Sequence, residues 1–191
     1  MSAITTIEHP EFKLKLGRMI VQNEAAEEVS KLYSDLRKKY YRMTSSWAGA
    51  FVVSMFVRFP WLSAMTISMS ASSEYDDEGG SYRSISIAID DVDAEPGVPF
   101  DAELEFDGQL ETGAAEETLR IYIEDYAGAA ELYECFADSE NSYDDLRLSI
   151  KRETIADLIG NDEVGGTEAF LRLFPDYASC VIDKVAVQAA G

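Results

Sequence analysis

Apolar and basic residues alternate through Phe12-Lys13-Leu14-Lys15-Leu16, which predicts a strand with one half buried, and Gly17 ends the pattern. The spacing then changes. Over residues 24–43, Val29, Leu32, Leu36, Tyr40 and Met43 recur at three- and four-residue intervals and share one face of a helix. Asn23 suits its N-cap, Glu24, Glu27 and Glu28 suit its positive end, and Arg37, Lys38, Lys39 and Arg42 suit its negative end. Ala50 to Phe59 is a continuous apolar run closed by Pro60. A buried strand and a short core helix both fit it, because an unbroken apolar run carries no period.

From Leu62 to Arg152 the period is mainly two. Met65, Ile67 and Met69 alternate with Thr66, Ser68 and Ser70; after the turn-like stretch Ser73 to Gly80, Ile85, Ile87 and Ile89 alternate with Ser84, Ser86 and Ala88. That predicts a hairpin with a long acidic loop. Phe100, Ala102, Leu104 and Phe106 alternate with Asp101, Glu103, Glu105 and Asp107, and two further strands are expected at Leu119 to Ile123 and Leu146 to Ile150. Apolar residues on one side of each strand suit an antiparallel sheet covered on one face. Helical pieces are expected at Ala127 to Ala137, Thr154 to Ile159 and Thr167 to Phe174, with Pro175 opening a last helix through about Val187. The fold expected is α+β: an antiparallel sheet of about five to six strands, helices packed on one face, and a C-terminal helical segment. Residues 1–191 read as one domain, with a mildly basic stretch 1–58, an acidic sheet region 59–152 and a helical close 153–191.

Composition narrows the class. Apolar residues make up 47% of 191, enough for a core and too many for a disordered acidic tail. The opening Met1-Ser2-Ala3-Ile4-Thr5-Thr6 has no basic and apolar signal pattern, and the apolar stretch Trp47 to Val57 is 11 residues, against roughly 20 for a membrane span. A cytoplasmic protein with no membrane contact is therefore expected. Two cysteines, Cys135 and Cys180, stand far apart and suit free, buried thiols.

Charge changes the picture most. The net formal charge is −20, yet residues 1–58 hold nine Lys/Arg against six Asp/Glu, while residues 59–191 hold seven against thirty. Between Glu74 and Glu117 there are fifteen acids and one base, Arg83. Such crowding costs folding free energy through self-repulsion. A second copy pairing through the N-terminal third, which is free of that charge, is physically easy.

Read as a strand, Asp101, Glu103, Glu105 and Asp107 project to one side at intervals of about 6.6 Å, twice the rise per residue. With Glu74, Asp76, Asp77 and Glu78 in the hairpin loop, and Asp90, Asp91, Asp93 and Glu95 after the next strand, they are the candidate partner-binding residues. Duplex DNA is itself a dense row of negative charge read largely by Lys and Arg. In composition the chain is similar to the acidic DNA mimics among phage-encoded anti-restriction and anti-CRISPR inhibitors; the likeness rests on no motif. The plainer readings are a solvated strand face, or Glu103 and Glu105 paired across the sheet with Arg120, Arg147, Lys151, Lys13 or Lys15. Adaptation to high salt also enriches acids, but thirteen isoleucines fit it poorly.

Catalytic signatures are missing from the sequence. A calcium loop begun at Asp91 has Pro96 where glycine is needed and Ala102 where glutamate is needed. A two-metal centre from Asp90, Glu103 and Glu105 would sit on a surface that repels phosphates. The single histidine, His9, precedes Pro10 in the leader, and no nucleophile elbow, phosphate loop or dinucleotide fingerprint occurs. Residues Thr154 to Leu173 faintly outline a helix-turn-helix, but Arg172 is the one base of its second helix. The basic run Arg37 to Arg42 is explained by the helix end. No catalytic residue, metal or cofactor is therefore assigned. The expected function is a non-enzymatic acidic inhibitor that holds the basic surface of a nucleic-acid-handling complex without binding nucleic acid itself. An immunity-type protein against a basic toxin and a carboxylate- or metal-dependent enzyme are the alternatives.

Overall fold

In the computed structural model, which describes residues 9–15, 19–137 and 142–180, the apolar run after residue 50 continues the preceding helix. That helix, α1, spans Glu24–Arg58, so the run left open between strand and helix is helical. It stops where Pro60, which cannot donate a backbone hydrogen bond, follows Phe59. The chain divides into two compact units, residues 1–41 and residues 42–191.

In the first unit, β1 (Phe12–Lys15) and β2 (Met19–Gln22) pair antiparallel, with Phe12 opposite Gln22 and Lys15 opposite Met19. The expected N-cap forms: the Asn23 side-chain oxygen accepts from the backbone N–H of Ala26 at 2.9 Å and of Glu11 at 3.0 Å. Its amide donates to the His9 carbonyl at 2.8 Å, tying the leader to the helix start. The apolar face expected on this strand is not covered at Phe12, which is 67% exposed. Val29, Leu32, Leu36, Tyr40 and Met43 do share a face of α1, and all are exposed.

The second unit is built on a sheet of three strands in the order β4-β3-β7, with β3 (Leu62–Tyr75), β4 (Ser81–Ala94) and β7 (Leu146–Lys151) all antiparallel neighbours. The mixed α+β character is as expected; the sheet has three main strands rather than five to six. Two segments account for the difference. Residues expected as a strand around Leu119 to Ile123 lie in helix α2 (Thr112–Tyr126), where Ala115, Leu119 and Ile123, spaced by four, are the buried positions and Ile121 is exposed. The Glu111 carboxylate accepts from the Ala114 N–H, which starts that helix. Along its outer side Arg120 pairs with Glu117 and Glu124 at 2.6 Å each. The second segment, 100–107, is a 3-10 turn at Ala102–Leu104 followed by a two-residue hairpin, β5 (Glu105–Phe106) with β6 (Gln109–Leu110).

One face of the sheet, carrying Met65, Ile67, Met69, Ile87, Ile89, Leu148 and Ile150, belongs to a single apolar core. Phe51, Met55 and Phe56 of α1, Leu119 and Ile123 of α2, Leu132 and Tyr133 of α3 (Ala129–Glu134), and Phe170 of α5 (Gly166–Leu173) fill the rest of that core. The helical close is as expected in α4 (Ala156–Ile159), α5 and a 3-10 turn at Pro175–Cys180; the remainder of the expected last helix lies outside the described residues.

Two contacts fix how these elements meet. α1 and α5 approach backbone to backbone: a Cβ placed on Gly49 would fall on the Gly166 carbonyl oxygen and 2.6 Å from the Phe170 nitrogen. Arg152, after β7, donates from Nε to the Leu62 carbonyl at 2.7 Å and from Nη2 to those of Phe56 and Phe59 at 2.6 and 3.0 Å. One guanidinium thereby satisfies the carbonyls at the end of α1 and the start of β3, and its burial pulls it below its ordinary pKa. Cys135 is a free, buried thiol, as expected, pushed up to about 12 by that burial and by the charge of Glu134. The side chain of Cys180 lies outside the described residues.

Candidate functional site

The long hairpin of β3 and β4 positions most of the acids singled out in the sequence. Its register runs from Thr66 opposite Asp90 to Tyr75 opposite Ser81, and the inward positions Ile67, Met69, Ile87 and Ile89 anchor it to the core. Because inward and outward positions alternate, the outer face carries Thr66, Ser68, Ser70, Ser86, Ala88 and Asp90. Hydroxyls join the strands there: Ser70 Oγ and Ser86 Oγ lie 2.8 Å apart, and Ser68 Oγ donates to the Asp90 carboxylate at 2.8 Å. A shallow cavity of about 330 Å³ opens over these serines, with Asp145 and Arg147 on its side.

At the tip of the hairpin, residues 72–82 are exposed or nearly so. Asp76 makes the turn: its carboxylate accepts from the backbone N–H of Glu78 at 3.1 Å and of Gly80 at 2.6 Å, and Gly79 takes a φ of 83°. Asp76 is thus occupied by the turn, whereas Asp77 and Glu78 extend into water. Glu74 accepts a hydrogen bond of 3.0 Å from the Tyr82 hydroxyl, and its carboxylate raises the Tyr82 pKa. Tyr75, 78% exposed, stands beside it.

At the other end the strand is irregular. The register slips between Ala64 and Thr66, and Asp91 adopts a positive φ of 51°. This bulge turns Val92 into the core and sends the Asp91 carboxylate to Arg147, 2.8 Å away. Asp93 and Glu95 line a second shallow cavity, about 270 Å³, with Lys151 and Glu153. Lys151 lies 3.7 Å from Glu153. Ser81 and Asp90 are nine residues apart on β4, so the two acidic ends are separated by about 30 Å.

The remaining four acids do not form the expected row. Asp101 precedes the 3-10 turn, Glu103 is inside it, Glu105 is in β5, and Asp107 is in the turn between β5 and β6. Of the apolar residues read as one strand face, Leu104 enters the core while Phe106 is 75% exposed. Asp107 and Gly108 both have positive φ, 52° and 76°, the backbone of the tightest hairpin turn. All four carboxylates are exposed. Asp101 follows Glu95 by six positions, which keeps its Cα within about 21 Å of that residue.

Among the described residues no ion pair joins Glu103 or Glu105 to Arg120, Arg147 or Lys151, and the side chain of Lys15 lies outside them. Arg120 bonds within α2, Arg147 bonds Asp91, and Lys151 and Lys13 are near Glu153 and Glu11. Among the acids from Glu74 to Glu117, Asp91 and Glu117 are the ones held in ion pairs within the described residues. Between the acidic ends lies the hydroxyl-lined face, whose signal in the sequence is the Thr66, Ser68, Ser70 alternation.

Among the described residues no group of three or more His, Cys, Asp or Glu side chains is placed to hold a metal ion. No helix among them is long and apolar enough to cross a membrane. Comparison with known protein families, curated proteins and solved structures finds no match to this chain.

Proposed function

We propose that the chain acts without catalysis, as a stoichiometric inhibitor that occupies the basic surface of a nucleic-acid-binding complex where DNA or RNA would lie. It is the activity of an anti-restriction or anti-CRISPR protein encoded by a phage or mobile element and working in the host cytoplasm. The observation that carries the reading is the state of Glu74, Asp77, Glu78, Asp93, Glu95, Glu103, Glu105 and Asp107. They have no ion pair among the described residues; Glu74, Asp77 and Glu78 lie at one end of the β3–β4 hairpin, Asp93 and Glu95 at the other, and Glu103, Glu105 and Asp107 in the segment that follows. Carboxylates that fold without cations keep their charge available for a cationic partner. The separation of the ends, about 30 Å, is close to one turn of a duplex, about 34 Å. A groove built to follow phosphates over one turn is met at both places.

Steering by this charge makes association fast and strongly dependent on salt. The test is capture of the partner from the native host by the tagged chain, followed by release with excess duplex DNA. Lysine at Glu74, Asp77 and Glu78, and separately at Glu103, Glu105 and Asp107, is expected to abolish capture while circular dichroism stays unchanged. Asp76 is kept, because it holds the turn. Undiminished capture by both variants, or a complex indifferent to competing duplex, overturns the proposal.

A further inference from the structure

On one side β3 outruns its neighbour. Its pairing with β7 passes through Ile67 opposite Leu148 and Met69 opposite Leu146, and the same register would set Ala71 opposite Asp144 and Ser73 opposite Ser142. The chain does not follow it. The Asp144 carbonyl, which would receive the Ala71 N–H, accepts instead from the Tyr133 hydroxyl of α3 at 2.8 Å, and Ser142 is buried. α3 thus draws the approach to β7 away from the edge of β3.

The hairpin turn shows which backbone groups this leaves open. The Asp76 N–H donates to the Gly80 carbonyl at 2.9 Å, so Asp76 faces β4. Backbone direction alternates along an antiparallel strand, so Glu74 and Ser72 also face β4, while Tyr75, Ser73 and Ala71 face the other way. Among the described residues no backbone hydrogen bond reaches those three from that side. Residues 72–75 are exposed. Three donors and three acceptors, repeating about every 6.8 Å over about 14 Å, are the complement of a second extended backbone.

Charge decides what that backbone carries. Glu74, Asp76, Asp77 and Glu78 lie at one end of this edge, and Asp144 and Asp145 at the other. Arg83 and Arg147, on the flanking strands, are engaged: Arg147 pairs with Asp91, and the Arg83 guanidinium lies over the Tyr133 ring, 4.9 Å from its centroid. A second copy of this edge brings acids onto acids in either direction, tip to tip or tip to Asp144 and Asp145. A strand with Lys or Arg at alternate positions instead sets them on the outer face of the sheet. One then stands opposite Glu74 in a non-hydrogen-bonded pair, the kind with the closer side chains. The positions between fall beside Ala71 and Tyr75 on the inner face and suit apolar residues. We infer that β3 takes up, along residues 71–75, an extended segment of another protein in which basic and apolar residues alternate. The inference stands apart from the proposed inhibitory activity.

The probe is the acetylated, amidated peptide Thr-Lys-Val-Lys-Val-Lys-Thr, titrated into the full chain while amide exchange is followed residue by residue by NMR. Saturable binding is expected. At saturation, exchange at Ala71, Ser73 and Tyr75 slows about 10-fold or more, while Ser72 and Glu74, already bonded to β4, stay as they were. Methylating the backbone nitrogens of the two valines, which face the edge, weakens binding about 30-fold or more; methylating those of the lysines, which face away, does not. The same peptide with Glu for Lys does not bind. Ser73→Pro removes a donor that β4 does not use and lowers affinity about 10-fold or more with circular dichroism unchanged, whereas Ser73→Ala leaves affinity unchanged. Should Ser73→Pro disturb the hairpin, the methylated peptides carry the test on the native chain. No binding at about 1 mM of the basic peptide overturns the inference. So does equal affinity for the valine-methylated or the acidic peptide, protection that fails to alternate, or the same protection in the chain alone as its concentration rises.

Discussion

Gly49 in α1 and Gly166 at the start of α5 meet with no room for a side chain on either. A methyl on Gly49 falls on the Gly166 carbonyl oxygen, and one on Gly166 falls on the carbonyl of Ser46. In an exposed helix, alanine in place of glycine stabilises by about 1 kcal/mol. Here the sign reverses. Gly49→Ala is expected to destabilise the fold by about 2–3 kcal/mol, because backbone cannot move aside as a flexible side chain would. The urea midpoint is the measurement, and an unchanged or raised midpoint means the helices do not touch at these glycines.

Arg152 stands at a similar junction, with three donors on three carbonyls of residues that are buried, Phe56, Phe59 and Leu62. Arg152→Met keeps much of the packing over the Phe56 ring and removes all three bonds. A loss of about 3 kcal/mol is expected, chiefly from carbonyls left without partners. Arg152→Lys should recover less than half of it, since one ammonium cannot reach the fork's three acceptors. Equal stability of the lysine variant and the native chain would show that charge, not geometry, holds this corner.

Asp157 supplies a test in pH. Both oxygens of its carboxylate accept from Arg172, at 2.7 and 2.8 Å, and this holds it below its ordinary value of 3.8. A carboxylate whose pKa is lower folded than unfolded stabilises the fold above the unfolded value, and loses that contribution as pH falls through the folded one. The stability difference between the native chain and Asp157→Asn should therefore be constant above about pH 4 and shrink below it. Thermal melts at pH 7, 5 and 3 check this; a difference that grows on acidification contradicts the assigned pair.

How far the sequence could be read depended on how many positions carried each pattern. The β3–β4 hairpin was legible because Met65, Ile67, Met69 and Ile85, Ile87, Ile89 repeat a period of two on both sides of a glycine-rich turn. The Asn23 cap and the start of α1 were legible because acids and apolar residues agreed about the helix. Residues 100–107 misled for a physical reason. Their alternation is perfect, but the Asp107-Gly108 turn at its end closes a two-residue hairpin, and alternation alone does not show that turn. Leu119, Ile121 and Ile123 alternate as well, yet Ala115, Leu119 and Ile123 also fit a helix, and three residues cannot separate the periods. The carboxylates of the candidate site were legible as residues. Their division between the two ends of the β3–β4 hairpin and the turns of residues 101–107 was not, because register and turns place them and composition carries none of it.

The sheet ends unevenly. Pairing with β7 stops at Met69 opposite Leu146, while β3 runs on to Tyr75. Among the described residues that last stretch of β3 therefore offers one bare row of backbone donors and acceptors, the template on which stray strands stack into aggregates. Glu74, Asp76, Asp77 and Glu78 crowd the same extremity, so any two molecules aligning there bring like charges face to face. Like charge at that extremity opposes edge-to-edge stacking of the overlong ribbon.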